Sequence, residues 1–195
     1  MFYKKTFNRF GSKGFTLFEL LIVILLVAVV GGISTVILVS SLRGSDRTNS
    51  INKVRTNGYY AITQMTKMIK YAKSFDGISN ADWHSNPNAW VGNCDSTPDP
   101  KTYLKITSFD GGITFFTCVD ANGLPDRGEI SSNSASLIDP NSVKVESCSI
   151  TCRRVSTNEP ATITIDFALS NVSGSNLYEK QASIPFHTSV TMRNY

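Results

Sequence analysis

Residues 20–42 contain no formal charge over 23 consecutive positions, and nothing else in the chain limits its folding so strongly. At 1.5 Å per residue they make ~35 Å of helix. A hydrocarbon core of about 30 Å needs roughly 20 residues. The segment therefore reads as a membrane-spanning helix. Glu19 stands at its start, and a carboxylate at membrane depth costs a few kcal/mol, so its presence implies a function. An ordinary secretory signal has a shorter apolar core of about 7–15 residues, with its cleavage site after that core. Here the run is too long. A plain signal anchor fits the length but gives no reason for Gly14 directly before Phe15, or for Glu19.

The residues Lys13-Gly14-Phe15-Thr16-Leu17-Phe18-Glu19-Leu20-Leu21 resemble the processing site of the type IV pilin family, which includes the pseudopilins of type II secretion. The resemblance implies that a prepilin peptidase cuts after Gly14 on the cytoplasmic side. Phe15 then becomes the N-methylated first residue and Glu19 the fifth, where it sets assembly register. The implied partners are that peptidase, other pilin or pseudopilin subunits met through the N-terminal helix, and an inner-membrane assembly machinery. The implied location is the cytoplasmic membrane, single-pass with the N-terminus cytoplasmic and the head exported, and then a pilus or pseudopilus at the cell surface or in the periplasm. No cofactor is implied.

The expected domain organisation is a leader over 1–14, a transmembrane and filament-core helix over 15–42, an amphipathic stalk helix over 43–75, and a β-rich head over 76–195. Charge follows these divisions. Lys4, Lys5, Arg9 and Lys13 make the leader basic, which favours a cytoplasmic N-terminus. Arg43 and Arg47 follow the span closely and weaken that asymmetry. Between 43 and 75, Arg43, Arg47, Lys53, Arg55, Lys67, Lys70 and Lys73 oppose only Asp46, whereas the remainder holds 8 basic and 13 acidic residues. The stalk is basic and the head acidic.

Ile51, Val54, Gly58, Ile62, Met65, Ile69 and Ala72 recur at steps of three and four, which marks one face of a helix. Continuous from 15 to 74, that helix would be ~90 Å long. Its basic off-stripe face reads as solvated surface. No recognition motif with interleaved aromatics accompanies it, so nucleic acid stays open as a partner without being indicated. Within the span, Gly31 and Gly32 are a soft point, since glycine costs about 1 kcal/mol relative to alanine in a helix. Ala28 and Gly32 form a small-xxx-small pair that lets another helix approach. Many pilins have a helix-breaking proline in this region; this chain has none between 15 and 74.

All four cysteines, Cys94, Cys118, Cys148 and Cys152, lie in the head. An even number in an exported domain favours disulfides, with three connectivities open. The preferred pairing is Cys94–Cys118 with Cys148–Cys152, worth roughly 3 and 2 kcal/mol in the chain-entropy model. Zinc is the weaker reading, because no C-x2-C pair exists and His84 and His187 are isolated.

Residues 75–100 are rich in turn formers and read as a long loop. Its Trp83 and Trp90 serve either as contact residues or as cover for the sheet. Beyond Pro100 the period becomes two. Residues 101–108 and 112–119 flank Phe109-Asp110-Gly111 as a hairpin. Val143 and Val145 begin another strand. Ile163, Ile165, Phe167 and Leu169 alternate with polar residues, and Ile184, Phe186, Val190 and Met192 share one face of the last strand, placed on an edge by Pro185. The fold class is α+β: a long N-terminal helix, half transmembrane and half amphipathic, packed on one antiparallel sheet of four to six strands.

Asp120, Asn122, Asp126 and Glu129 gather oxygen atoms as a weak calcium candidate, and some pseudopilins bind that ion. The spacing departs from the EF-hand loop, and a polar turn is the better reading. No catalytic constellation is present: there are two histidines and no G-x-S-x-G elbow. His187 falls on the polar face of its strand. The expectation is a non-enzymatic structural subunit of a type IV pilus, a minor pilin or loosely a J-type pseudopilin. The alternatives are a type II secretion pseudopilin and a monomeric signal-anchored binding protein.

Overall fold

The computed structural model describes residues 14–81, 90–92, 94, 99–122, 127–154, 159–172 and 182–193. Its elements are α1 (Leu17–Lys70), β1 (Ser74–Ser79), β2 (Tyr103–Thr107), β3 (Ile113–Val119), β4 (Glu129–Ser132), β5 (Ala135–Ser136), β6 (Val143–Arg153), β7 (Thr162–Asn171) and β8 (Ser183–Thr191). The chain divides into two units, Met1–Arg43 and Gly44–Tyr195.

In the second unit, α1 buries Ser50, Val54, Gly58, Ala61, Met65 and Ile69. The expected stripe is present but turned slightly, with Ala61 rather than Ile62 at its centre. Fully burying Val54, Met65 or Ile69 contributes about 1.5–3 kcal/mol each before entropy is counted. Gly58 is required by contact: a Cβ there would lie 2.1 Å from Phe186 Cζ. Asn57 Oδ1, beside it, accepts the amide of Asp139 at 2.7 Å and ties a distant turn to the helix. The opposite face carries Lys53, Arg55, Lys67 and Lys70 in solvent. Tyr59, Tyr60 and Tyr71 are exposed among them, so aromatics do interleave with the cations, contrary to the sequence reading.

Two antiparallel sheets replace the single one expected: a five-stranded sheet in order β1-β2-β3-β4-β5 and a three-stranded sheet in order β6-β7-β8. The expected hairpin is β2–β3, with Tyr103 opposite Thr117 and Thr107 opposite Ile113. Pro185 lies in β8, an edge strand as expected. The helix ends at Lys70, short of Ser74, because 74–79 is recruited as β1. Its Asp and Gly disguise it as loop. The ladder shifts register between Phe75 and Gly77, where φ is +143°, and the bulged Asp76 accepts the hydroxyls of Ser74 and Thr107. β4 and β5 were likewise hidden in a polar run. They turn through Asn133 and Ser134, both at positive φ, and the Asn133 side chain accepts the Phe115 amide at 2.8 Å.

One core cluster joins Val54, Met65 and Ile69 of the helix with Leu104, Ile106 and Phe116 of the first sheet and Ile163, Ile165 and Phe167 of the second. The sheets themselves meet at β6. Lys101 and Ile150 exchange both backbone hydrogen bonds at 2.8 Å. On either side of Ile150 a cysteine of β6 bonds into the earlier part of the chain, as Cys94–Cys152 and Cys118–Cys148. The expected pairing of Cys94 with Cys118 and Cys148 with Cys152 is therefore wrong. An extended strand rises about 3.3 Å per residue, so Cys148 and Cys152 lie too far apart in β6 to bridge. Trp90 packs against Phe115, ring centroids 5.7 Å apart, and so covers β3; Trp83 lies outside the described residues.

Candidate functional site

The first unit supplies the site. α1 begins at Leu17, three residues after Gly14, and its start is determined locally. The backbone carbonyl of Thr16 accepts the amides of Glu19 and Leu20 at 3.1 and 3.2 Å, and its hydroxyl also accepts the Glu19 amide at 3.3 Å. Thr16 is thus the N-cap, and Glu19 occupies the third helical position of a Thr-x-x-Glu capping pattern. An acid there also faces the positive end of the helix dipole. Sequence reasoning singled out Glu19 but passed over Thr16. The signal was legible, since a Thr-x-x-Glu stretch leads directly into the apolar run.

Gly14 precedes the helix, and nothing lies within 4 Å of the position its Cβ would take. Phe15 is 73% exposed. From Leu17 onward the large apolar side chains of this unit all stand exposed, and one stretch of α1 reaches a mean hydropathy of 3.0 with none of it buried. Ala28, Gly31 and Gly32 lie within α1, which continues through them unbroken. The space where side chains at Gly31 and Gly32 would stand is open. Ser34 and Thr35 donate their hydroxyls to the carbonyls of Val30 and Gly31, both at 2.9 Å. Their side-chain donors are therefore satisfied inside an apolar stretch.

Of the four oxygen-bearing residues singled out in the head, Asp120, Asn122 and Glu129 are described. Asp120 Oδ1 accepts the Asn122 amide at 3.1 Å, which makes an Asx turn. Glu129 stands in β4 opposite Val119, and Asp126 lies outside the described residues. Among the described residues no group of three or more His, Cys, Asp or Glu side chains is placed to hold a metal ion. His187 is on the exposed face of β8 and pairs with Asp166 of β7, as its place on the polar face implied.

A capped, acid-bearing apolar helix precedes a disulfide-stapled α+β unit, an arrangement that suggests a membrane-anchored protein. Residues 9–35 match the family model described as the prokaryotic N-terminal methylation motif, the signature of type IV pilins and pseudopilins. That match, over 27 of the 195 residues, supports a type IV pilin-like or pseudopilin subunit and implies processing by prepilin peptidase and assembly with other pilin subunits. Neither the curated proteins nor the solved structures contain a match to the chain.

Proposed function

We propose that this protein is a minor pilin: a precursor cut between Gly14 and Phe15, methylated on Phe15, and built through its N-terminal helix into a type IV pilus that serves adhesion, motility or DNA uptake. Residues 1–14 are the leader, 15–42 the bilayer anchor and later filament core, 43–75 the stalk, and 76–195 the exported head. The observation that supports this most is the uninterrupted exposure of the apolar side chains from Phe15 to Leu42 behind a capped, acidic helix start. Such a surface needs a bilayer or neighbouring copies of itself.

The chemistry follows from charge. Cleavage leaves a positive amine at Phe15. An unpaired Glu19 carboxylate in an apolar setting is costly, and an N-terminal amine of a neighbouring subunit offsets that cost. The pair acts as a register device, because apolar helices alone specify their sliding position poorly. The glycines at 31 and 32 are where the span loosens when subunits leave the bilayer.

Intact-mass analysis tests the processing. Loss of residues 1–14 is expected, and a retained leader would indicate a plain anchored binding protein instead. Glu19→Ala should leave cleavage and insertion intact but reduce incorporation into filaments. Wild-type incorporation by that variant would remove the register role. A bulky residue in place of Gly14 should leave an uncleaved membrane protein, and normal maturation of it would move the site elsewhere.

A further inference from the structure

The two disulfides have a connectivity that the order of synthesis does not favour. Cys118–Cys148 is nested inside Cys94–Cys152, with sequence separations of 30 and 58. Each bridge joins a cysteine in the part of the chain that forms the first sheet to one on β6, the first strand of the second sheet. The first sheet is complete in sequence by Ser136, before β6 begins at Val143. Chains are extended at about 5–20 residues per second. In a chain exported as it is made, Cys94 and Cys118 therefore stand together outside for a matter of seconds before Cys148 follows.

We infer that the head reaches its native bridges through a transient Cys94–Cys118 disulfide, which the two thiols of β6 resolve by exchange. This rests on the head being exported N-terminus first and during synthesis. In the first step a dithiol oxidase of the exported compartment accepts two electrons and two protons from Cys94 and Cys118, and their sulfurs join. In the second, the Cys148 thiolate attacks Cys118 Sγ. The Cys118–Cys148 bond forms, the Cys94–Cys118 bond breaks, and Cys94 leaves as a thiolate; the number of disulfides is unchanged. Cys94 and Cys152 then give two electrons and two protons to the oxidase and form the second bridge. Attack of Cys152 on Cys94 Sγ instead releases Cys118 for Cys148. Both routes end in the native set.

The geometry explains why exchange finds the right sulfurs. Ile150 lies midway between Cys148 and Cys152, and its paired hydrogen bonds with Lys101 register β6 against the first part of the head. The Cys118 amide donates to Thr102 O at 2.8 Å, one residue from that pair. Docking of β6 through Lys101 and Ile150 thus places Cys148 at Cys118 and leaves Cys152 for Cys94. The thiols of β6 are in this sense built-in resolving nucleophiles.

Pulse-chase labelling of the full chain during export, with thiols blocked by iodoacetamide at each time and bridges mapped by mass, tests this. In the wild type, Cys94–Cys118 should appear first and fall to background as both native bridges rise. In Cys148→Ser/Cys152→Ser it should persist as the end product. Because that bridge forms before the head folds, the double variant is informative even when it fails to fold. Appearance of Cys118–Cys148 or Cys94–Cys152 in the wild type without an earlier Cys94–Cys118 species would overturn the route, as would thiols that stay free throughout. Leader removal is read on the same samples. A retained leader alongside the expected bridge order would sink the pilin reading while supporting the exchange.

Discussion

Gly58 of α1 and Phe186 of β8 share a single volume: a Cβ on the glycine would overlap the phenylalanine ring, at 2.1 Å from Cζ and 2.4 Å from both Cε atoms. The ring is held on its other sides by Tyr59, edge-on with centroids 5.8 Å apart, and by Phe167, stacked at 5.1 Å. It has little room to yield. Close approach of helix and strand is thus set by the absence of one methyl group.

Gly58→Ala should therefore destabilise the head, even though alanine is the better helix former by about 1 kcal/mol. Overpacking typically costs 1–3 kcal/mol, so a net loss of up to about 2 kcal/mol is expected. Phe186→Leu should cost stability alone but recover part of it when combined with Gly58→Ala, because the residues are in contact and their effects do not add. Thermal or denaturant unfolding of the four proteins in the cycle measures this. Additive effects would mean that the ring moves aside freely.

That contact shows where the sequence was informative and where it was silent. Gly58 sat on the predicted apolar stripe, and Phe186 on the predicted inner face of the last strand, because periods of 3.6 and two each report a buried face. Neither period reports which faces meet. β1 was missed because its bulge places Asp76 and Gly77 inside a strand, where composition signals a turn. β4 and β5 were missed because strands of four and two residues, rich in serine, carry no apolar alternation. The bridges were mispaired for a related reason: sequence distance favours neighbours, whereas β6 is drawn to the first sheet through Lys101 and Ile150. At the other end of the chain the helix start is legible locally, since a Thr-x-x-Glu stretch runs directly into the apolar segment.

The bridge connectivity makes a stability prediction of its own. In the chain-entropy model, loops closed by separations of 30 and 58 are each worth roughly 4 kcal/mol. Cys118→Ser/Cys148→Ser should lower the unfolding free energy of the head by about that amount while leaving Cys94–Cys152 intact on a non-reducing peptide map. A map of the fully folded wild type that recovers Cys94 joined to Cys118 would contradict the structure.

Acid should loosen the head through Glu146. The hydroxyl of Ser170 donates to its carboxylate at 2.6 Å and Lys144 pairs with it at 3.0 Å; the hydrogen bonds from these two, Ser170's first, hold its pKa below the ordinary 4.5. Asp139 is lowered too, mainly by the Ser142 hydroxyl and then by the Asn141 amide. A carboxyl whose folded pKa is depressed adds stability above its unfolded value, and that contribution is lost as pH falls through the folded one. Melting temperature should accordingly fall on acidification below about pH 4.5, the ordinary value for glutamate. Ser170→Ala should flatten the part due to Glu146. A pH profile unchanged by that variant would mean that the hydrogen bond contributes nothing. Because Glu146 is partly exposed, added salt should weaken the Lys144 component.

Thr16 separates the helix start from the charge at Glu19. Its hydroxyl accepts the Glu19 amide, so Thr16→Val removes the cap while keeping the side chain's shape and the acid. Loss of an N-cap costs about 1 kcal/mol, and the cost falls on the first turn because helix ends fray independently of the interior. Hydrogen exchange in detergent micelles should then quicken at Glu19 and Leu20 and remain unchanged in the head. Glu19→Ala has the opposite character. It leaves the Thr16 hydroxyl and the backbone amide of residue 19 in place but deletes the carboxylate. If register depends on that charge, Glu19→Ala should impair filament incorporation far more than Thr16→Val does. Equal losses in the two variants would instead locate the requirement in an intact first turn.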